Sequence, residues 1–389
     1  MTHPPLSQDP TEPGFVQDPY PTYELIRAHP FMYWQELDLV VTARANLVQA
    51  ILRDRRFGRE PLGGHPPSDP ALEPFAQLDR AAMLDREPPD HTRLRKLVSR
   101  AFTSSHVAAL TPFIEARANA LIDTVGSGPF DLIAAFAEPL PVQVIAHMLG
   151  VPLERAPDLL AWSHAMVAMY QAGRDSRVEQ EAVAAATAFT AYMDTLVEAR
   201  ETAPQDDLLS ALVMAQEGAD RLSRLEVIAN GILLLNAGHE ATVHAIANGV
   251  KALLESGTYD MTPSSEMVEE ILRFDPPLHL FTRHVRDEVT LQGNGFVPGD
   301  QVGVLLAGAA RDPGLFDEPA QFIPTRPTNP HVSFGAGLHF CVGAPLARLE
   351  VLTALNVLTQ RCPNLRLAAP PHYANRWHFR GLQQLWIEA

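Results

Sequence analysis

The spacing of apolar positions changes several times along the chain. Residues 20–29 repeat them at helical spacing and predict a short helix, while residues 31–42 read as a hairpin entered by Phe31, Tyr33 and Trp34. Residues 58–90 are interrupted by GREPLGGHPPSDP and REPPDH, which are poor helix material and predict a long, loop-rich segment. A loop that long inside a folded domain usually serves function. From His91 to Phe102 the pattern turns helical. Residues 107–254 read almost wholly as helix, broken near 127–129, 151–157, 172–175 and 203–206.

The longest helix begins at Ser223, where Ser223-x-x-Glu226 forms a capping box. The following run is roughly 30 residues, about 45 Å at helical rise. Much of it is apolar around its whole circumference, the pattern of a helix buried through the middle of a protein. Past residue 284, Glu288–Leu291 and Gln301–Leu306 look like strands, with turn chemistry at Gly293–Gly295 and Pro298–Gly299. The 34 prolines and 23 glycines punctuate the chain without a repeat or a low-complexity linker. Residues 1–19 therefore read as a flexible polar arm, and residues 20–389 as one domain, helical in bulk with a small sheet elaboration.

Composition narrows the function classes. The 389 residues are 46% hydrophobic and 20% charged, an ordinary globular balance. A net charge of -16 speaks against non-specific binding to nucleic acid or to an anionic membrane. Cys341 and Cys362 are the only cysteines, too few for a disulfide framework and consistent with a reducing cytoplasm. The start, MTHPPLSQDPTEP, lacks the regions of a secretory signal, and no apolar run reaches bilayer length. A soluble cytoplasmic protein, monomeric and without a membrane or nucleic-acid partner, is expected.

The segment HVSFGAGLHFCVGAPLARLE (331–350) carries the most chemistry. Two glycines precede Cys341, Gly343 and Pro345 follow it, and a helix run begins at Ala344. A cysteine at a helix N-terminus meets unpaired amides and the positive end of the dipole, which favour its thiolate. Gly343 would let a flat macrocycle approach with no side chain between. A buried structural cysteine beside a turn is the bland alternative, and it is the reading given to Cys362.

F-G-A-G-L-H-F-C-V-G-A-P-L-A-R resembles the haem-binding signature of the cytochrome P-450 family, the haem-thiolate monooxygenases. The resemblance covers the chain from about residue 20 onward. It implies a mainly α fold, a single-domain helical prism around haem b with a small β-rich subdomain. It further implies Cys341 as thiolate ligand of the iron, with Phe334 and Gly343 against the macrocycle. A thiolate ligand pushes electron density onto iron and favours O–O cleavage. Glu270-x-x-Arg273 is similar to the family's E-x-x-R motif, and Arg326 completes a bracing network by the same resemblance; alone, the pair would read as a surface ion pair. His91 and Arg95, at i and i+4, together with Arg283 and His339, match the family's haem-propionate partners, with Arg286 a weaker competitor. Singly, each would read as a solvated side chain.

Within the long helix, Ala237-Gly238-His239-Glu240-Ala241-Thr242 resembles the family's A-G-x-(D/E)-T motif. Glu240 takes the acid position, and Gly238 leaves room for dioxygen, the co-substrate. The family's threonine position holds Ala241 here, and Thr242 lies one residue later, about 100° around the helix. Protons then reach the bound oxygen through Glu240 and water, through a substrate hydroxyl, or through a distorted helix that turns Thr242 inward. His239 is given no role.

By family position, Leu84, Leu233, Asn236, Ala237, His279, Phe281 and Leu382 wall the substrate pocket, and mostly apolar walls suit a small hydrophobic substrate with a polar handle. Core packing is the competing reading for the leucines. No flavin or ferredoxin segment is present, so a separate ferredoxin and ferredoxin reductase are expected to supply electrons. Arg93, Lys96, Arg100 and Arg348 are candidates for their docking. A peroxide-using haem enzyme and a non-catalytic haem or ligand carrier are the alternative functions.

Overall fold

The capping box at Ser223 is made in the computed structural model, which describes residues 3–65, 69–100, 102–170, 174–217, 220–327, 329–377 and 379–388. Glu226 N donates to Ser223 Oγ at 3.2 Å, and Ser223 N donates to Glu226 Oε2 at 2.7 Å. The helix that follows, Arg224–Glu255, runs 32 residues without interruption. Among the described residues no helix is long and apolar enough to cross a membrane.

The chain divides into two compact units. The first comprises Met1–Gly63, Ala118–Ala137 and Ala241–Ala389; the second comprises Gly64–Arg117 and Glu138–Glu240.

The first unit holds most of the strands. Its largest sheet has six, in the order Pro5–Leu6, Met32–Trp34, Leu39–Thr42, Gln301–Leu305, Leu280–Val285 and Phe57–Gly58. Met32–Trp34 and Leu39–Thr42 are the antiparallel hairpin the alternation predicts, with Tyr33 opposite Val40. Successive strand residues point to opposite faces, so the sheet divides its apolar side chains between two clusters. Val285, Val302 and Val304 join Ile51, Leu52 and Val332 in one, while Leu39, Val41 and Leu280 join Tyr23, Ile26 and Trp34 in the other.

The segment expected as an arm, 1–19, is instead built into this unit from Pro5 on. Pro5–Leu6 adds a parallel strand beside Tyr33 and Trp34, and Trp34 Nε1 donates to Gln8 O at 2.7 Å. Glu12 caps a short helix, Pro13–Gln17, whose Phe15 and Val16 are buried. Its composition is polar, but three apolar side chains at the right spacing suffice to dock it. Arg380 fixes the same segment, donating to Val16 O at 2.6 Å and to Asp275 Oδ1 at 2.8 Å. Burial pushes the Asp275 carboxyl up, but Arg380 beside it prevails and holds it well below the carboxylate range.

The second unit is helical. It includes Glu73–Ala81, Asp90–Ser99, Pro139–Met148, Ala156–Val167 and Ser176–Thr202. Glu73–Ala81 lies inside the segment expected to be loop; Pro74 sits in its first turn, where a missing N–H costs nothing. The region expected as nearly all helix also admits two short strand pieces, Phe130–Asp131 in the first unit and a hairpin of Gln216–Glu217 with Asp220–Arg221 in the second.

Candidate functional site

In the first unit, the cysteine loop is held in place before any ligand is considered. Gly337 adopts φ +71°, and a Cβ there would lie 2.4 Å from Leu52 O, so the loop rests directly on the backbone ending the helix Ala45–Arg53. Ser333 Oγ donates to Leu272 O at 2.6 Å. Cys341 N donates to Phe334 O at 3.0 Å, closing the loop. Gly343 is the N-cap of the helix Ala344–Arg361. Cys341 thus stands just ahead of a helix N-terminus, and it is only half-buried.

The loop suits a flat apolar group. A Cβ on Gly343 would meet the Cys341 sulfur at 3.9 Å, so the missing side chain leaves room on that side of the sulfur. Leu338 and Phe340, large apolar side chains, remain 37% and 39% exposed next to it. His339 lies between them in the turn Gly337–His339. Phe334 is half-buried under the Arg348 guanidinium, 4.6 Å from its ring centroid.

Behind the loop, Glu270 is fully buried and forks onto Arg273 through two hydrogen bonds of 2.7 Å. Arg326 Nε and Asn329 Nδ2 each donate to Glu270 Oε2 at 3.0 Å. The arginines also reach backbone carbonyls of Ala310, Asp317, Pro319 and Gln321. Neighbouring Glu269 bridges His331, at 3.0 Å, and Arg348, at 2.5 Å. Burial would raise the Glu269 carboxyl, but those two partners bring it down to about 2. Sequence reasoning missed Glu269 and His331, whose pairing joins positions far apart in the chain.

Arg283 sits on the strand Leu280–Val285 and is buried, donating to Thr282 O at 2.9 Å. Phe281, two residues before it on the same face, lies 3.4 Å from where Gly335 would carry a Cβ, with Arg59 and Arg283 each 5.6 Å from its ring. Leu382 is buried on the strand Leu382–Gln384. His279 departs from expectation: rather than walling a pocket, its ring is packed against Tyr20 and Tyr23, with Nδ1 2.7 Å from Tyr23 Oη. An imidazole this deeply buried takes a hydroxyl partner in preference to an apolar wall.

The second unit carries His91, buried, and Arg95, half-buried, on the helix Asp90–Ser99. Arg93 on that helix is committed to Glu226, whose other contacts cap the long helix. Leu84 is half-buried in a turn pinned by Asn230, which accepts from Met83 N at 3.1 Å.

Along the long helix, burial is interrupted on one stripe. Leu233 and Ala241 are partly exposed and Ala237 is exposed, at spacings of i, i+4 and i+8. Asn236 flanks the stripe and donates to Met166 Sδ at 3.7 Å. Glu240 is buried; its Oε2 is 3.6 Å from His239 Nε2 and 3.6 Å from His164 Nε2.

Thr242, expected as a candidate for the oxygen site, faces elsewhere. Its hydroxyl hydrogen-bonds Glu350 on the helix Ala344–Arg361, and both side chains are buried. The helix is regular through this stretch, so the one-residue offset from Ala241 keeps its full rotation.

Residues 258–365 match the family model described as cytochrome P450. Cytochrome P450 107B1 of Saccharopolyspora erythraea is 38% identical over 96% of this chain and 95% of its own length. The vitamin D(3) 25-hydroxylase of Pseudonocardia autotrophica is 37% identical over 91% of this chain and 89% of its own. The solved structure of P450BioI, in complex with acyl carrier protein ligated to hexadec-9Z-enoic acid, has a TM-score of 0.91 at 34% identity, covering 97% of this chain and all of that one.

Proposed function

The chain belongs to the cytochrome P450 family of haem-thiolate monooxygenases, which use haem b and dioxygen, and we propose that Cys341 holds the haem iron as its thiolate. The observation that carries this reading is the half-buried Cys341 just ahead of a helix N-terminus, with Gly343 placing no side chain beside its sulfur. Haem, when bound, supplies dioxygen activation and the insertion of one oxygen atom into the substrate. The chain supplies the ligand, the orientation and the proton.

His91, Arg95, Arg283 and His339 are the proposed propionate partners, cations or donors suited to two buried carboxylates. The Glu270–Arg273–Arg326 network braces the cysteine loop. Leu233, Asn236, Ala237 and Ala241 present the uncovered stripe to substrate and oxygen, and Gly238 keeps the backbone beside it slim. With Leu84, Phe281 and Leu382 as further walls, the substrate is a small hydrophobic molecule. Glu240 Oε2 holds the proton for transfer, through water or a substrate hydroxyl, because Thr242 is bound to Glu350. Ala241, lacking a hydroxyl, favours peroxide-driven turnover as the second reading.

A separate ferredoxin with its reductase delivers electrons in the cytoplasm to a monomeric enzyme. Arg93, Lys96, Arg100 and Arg348 are the proposed docking residues, Lys96 and Arg100 being exposed. The test is the carbon monoxide complex of the reduced protein. A red-shifted Soret band is expected, and Cys341→Ala should lose it; an unshifted band in the parent protein would sink the thiolate assignment.

A further inference from the structure

Outside the haem-binding residues, the second unit gathers two imidazoles and a carboxylate around one point. One ring nitrogen of His164, one of His239 and one Glu240 oxygen all lie within 4.8 Å of one another. Glu138 Oε1 lies 3.6 Å from His164 Nε2 on the other side. We propose that His164, His239 and Glu240 form a site for a divalent transition metal of the zinc class.

Three observations carry it. First, the two Nε2–Oε2 separations are both 3.6 Å, longer than a normal hydrogen bond but close to the spacing of two ligands on one ion. With metal–nitrogen and metal–oxygen bonds of about 2.0–2.2 Å, tetrahedral neighbours stand roughly 3.3–3.5 Å apart. Second, the tautomer of His239 is fixed for ligation. Its Nδ1 is 3.0 Å from Leu235 O, which can only accept, so Nδ1 carries the proton and Nε2 keeps its lone pair toward Glu240. A backbone carbonyl behind a histidine is the outer-shell arrangement that orients metal ligands. Third, access and rigidity are divided between the ligands. His239 and Glu240 are 0% and 5% exposed at their side chains, whereas His164 is 41% exposed, which gives an ion a way in. Two imidazoles and a carboxylate match zinc or a neighbouring metal, while calcium and magnesium prefer all-oxygen sets. Water or Glu138 fills the fourth position.

Occupancy has a consequence that rests on Glu240 being the proton carrier. An ion bonded to its carboxylate takes the lone pair that would hold the proton, so the metal acts as a brake on turnover.

The test uses the haem-loaded protein. Equilibrium dialysis against zinc, with a chromophoric chelator as competitor, should show one saturable equivalent. Zinc-edge X-ray absorption, which the haem iron does not overlap, should give imidazole and oxygen ligands at about 2.0–2.2 Å. His164→Ala, at a half-exposed position, should weaken binding by more than the 10–100-fold that loss of an outer-shell partner produces. Retention of its carbon monoxide Soret band checks that the variant is folded. No saturable equivalent, or unchanged affinity in the variant, overturns the site. Zinc should also slow product formation in the parent protein and not in His164→Ala; intact binding with unaffected turnover would count against the proton role of Glu240 and leave the site standing.

Discussion

Glu350→Gln removes a buried acid without changing its shape, and it tests whether that acid is held neutral in the fold. The Glu350 side chain is 1% exposed, and its Oε2 has no hydrogen-bond partner. Burial drives its pKa well above the ordinary carboxylate value, more than the Thr242 hydroxyl lowers it. The folded protein therefore holds this proton to higher pH than the unfolded chain, which releases it near pH 4.3. Stability from this group is full below about pH 4.3 and falls as pH rises toward the folded pKa, by about 1.4 kcal/mol per pH unit. Glutamine is neutral throughout and can still bond Thr242. Relative to the parent, the variant should gain up to roughly 2.5 kcal/mol between pH 5 and pH 7, seen as a widening of a few degrees in melting temperature. Melts of both proteins at pH 5, 6 and 7, followed at the Soret band, measure it. A difference that stays flat with pH would refute the neutral buried acid.

Ala241→Thr places a hydroxyl on the uncovered stripe and should raise product formed per NAD(P)H consumed, while Thr242→Val should leave that ratio unchanged; coupling assays with a reconstituted reductase decide both. Gly337→Ala forces a Cβ onto Leu52 O and a side chain into left-handed backbone, costing at least about 1–3 kcal/mol in strain alone. It should purify with depleted haem by Soret-to-280 nm ratio. Glu270→Gln leaves the buried Arg273 and Arg326 charges without their anion, a loss of about 3–5 kcal/mol that thermal denaturation should report.

Much of the site was legible because it is written in contiguous residues. The cysteine loop, the capped long helix and the Glu270–Arg273 pair each declare themselves within a few positions, where local geometry dictates the outcome. The hairpin at 31–42 is legible for the same reason. What escaped was set by partners distant in the chain. Thr242 and Ala241 differ by one helical step, and only the packing of Glu350 fixes which of them turns toward a buried acid. His279 was indistinguishable from a pocket wall until Tyr23 claimed its Nδ1. His164 carried no signal at all, since its place beside Glu240 depends on how two helices of the second unit meet.

By itself, the sequence determined the family, the cofactor and the helical bulk, since period, capping and loop chemistry act over a turn or two. The tertiary structure decided side-chain direction: which hydroxyl meets which acid, which histidine is sealed, and that the polar first residues are docked on the sheet. Those outcomes turn on burial against neighbours tens to hundreds of positions away, where desolvation and hydrogen-bond satisfaction select among directions that local propensity leaves equal.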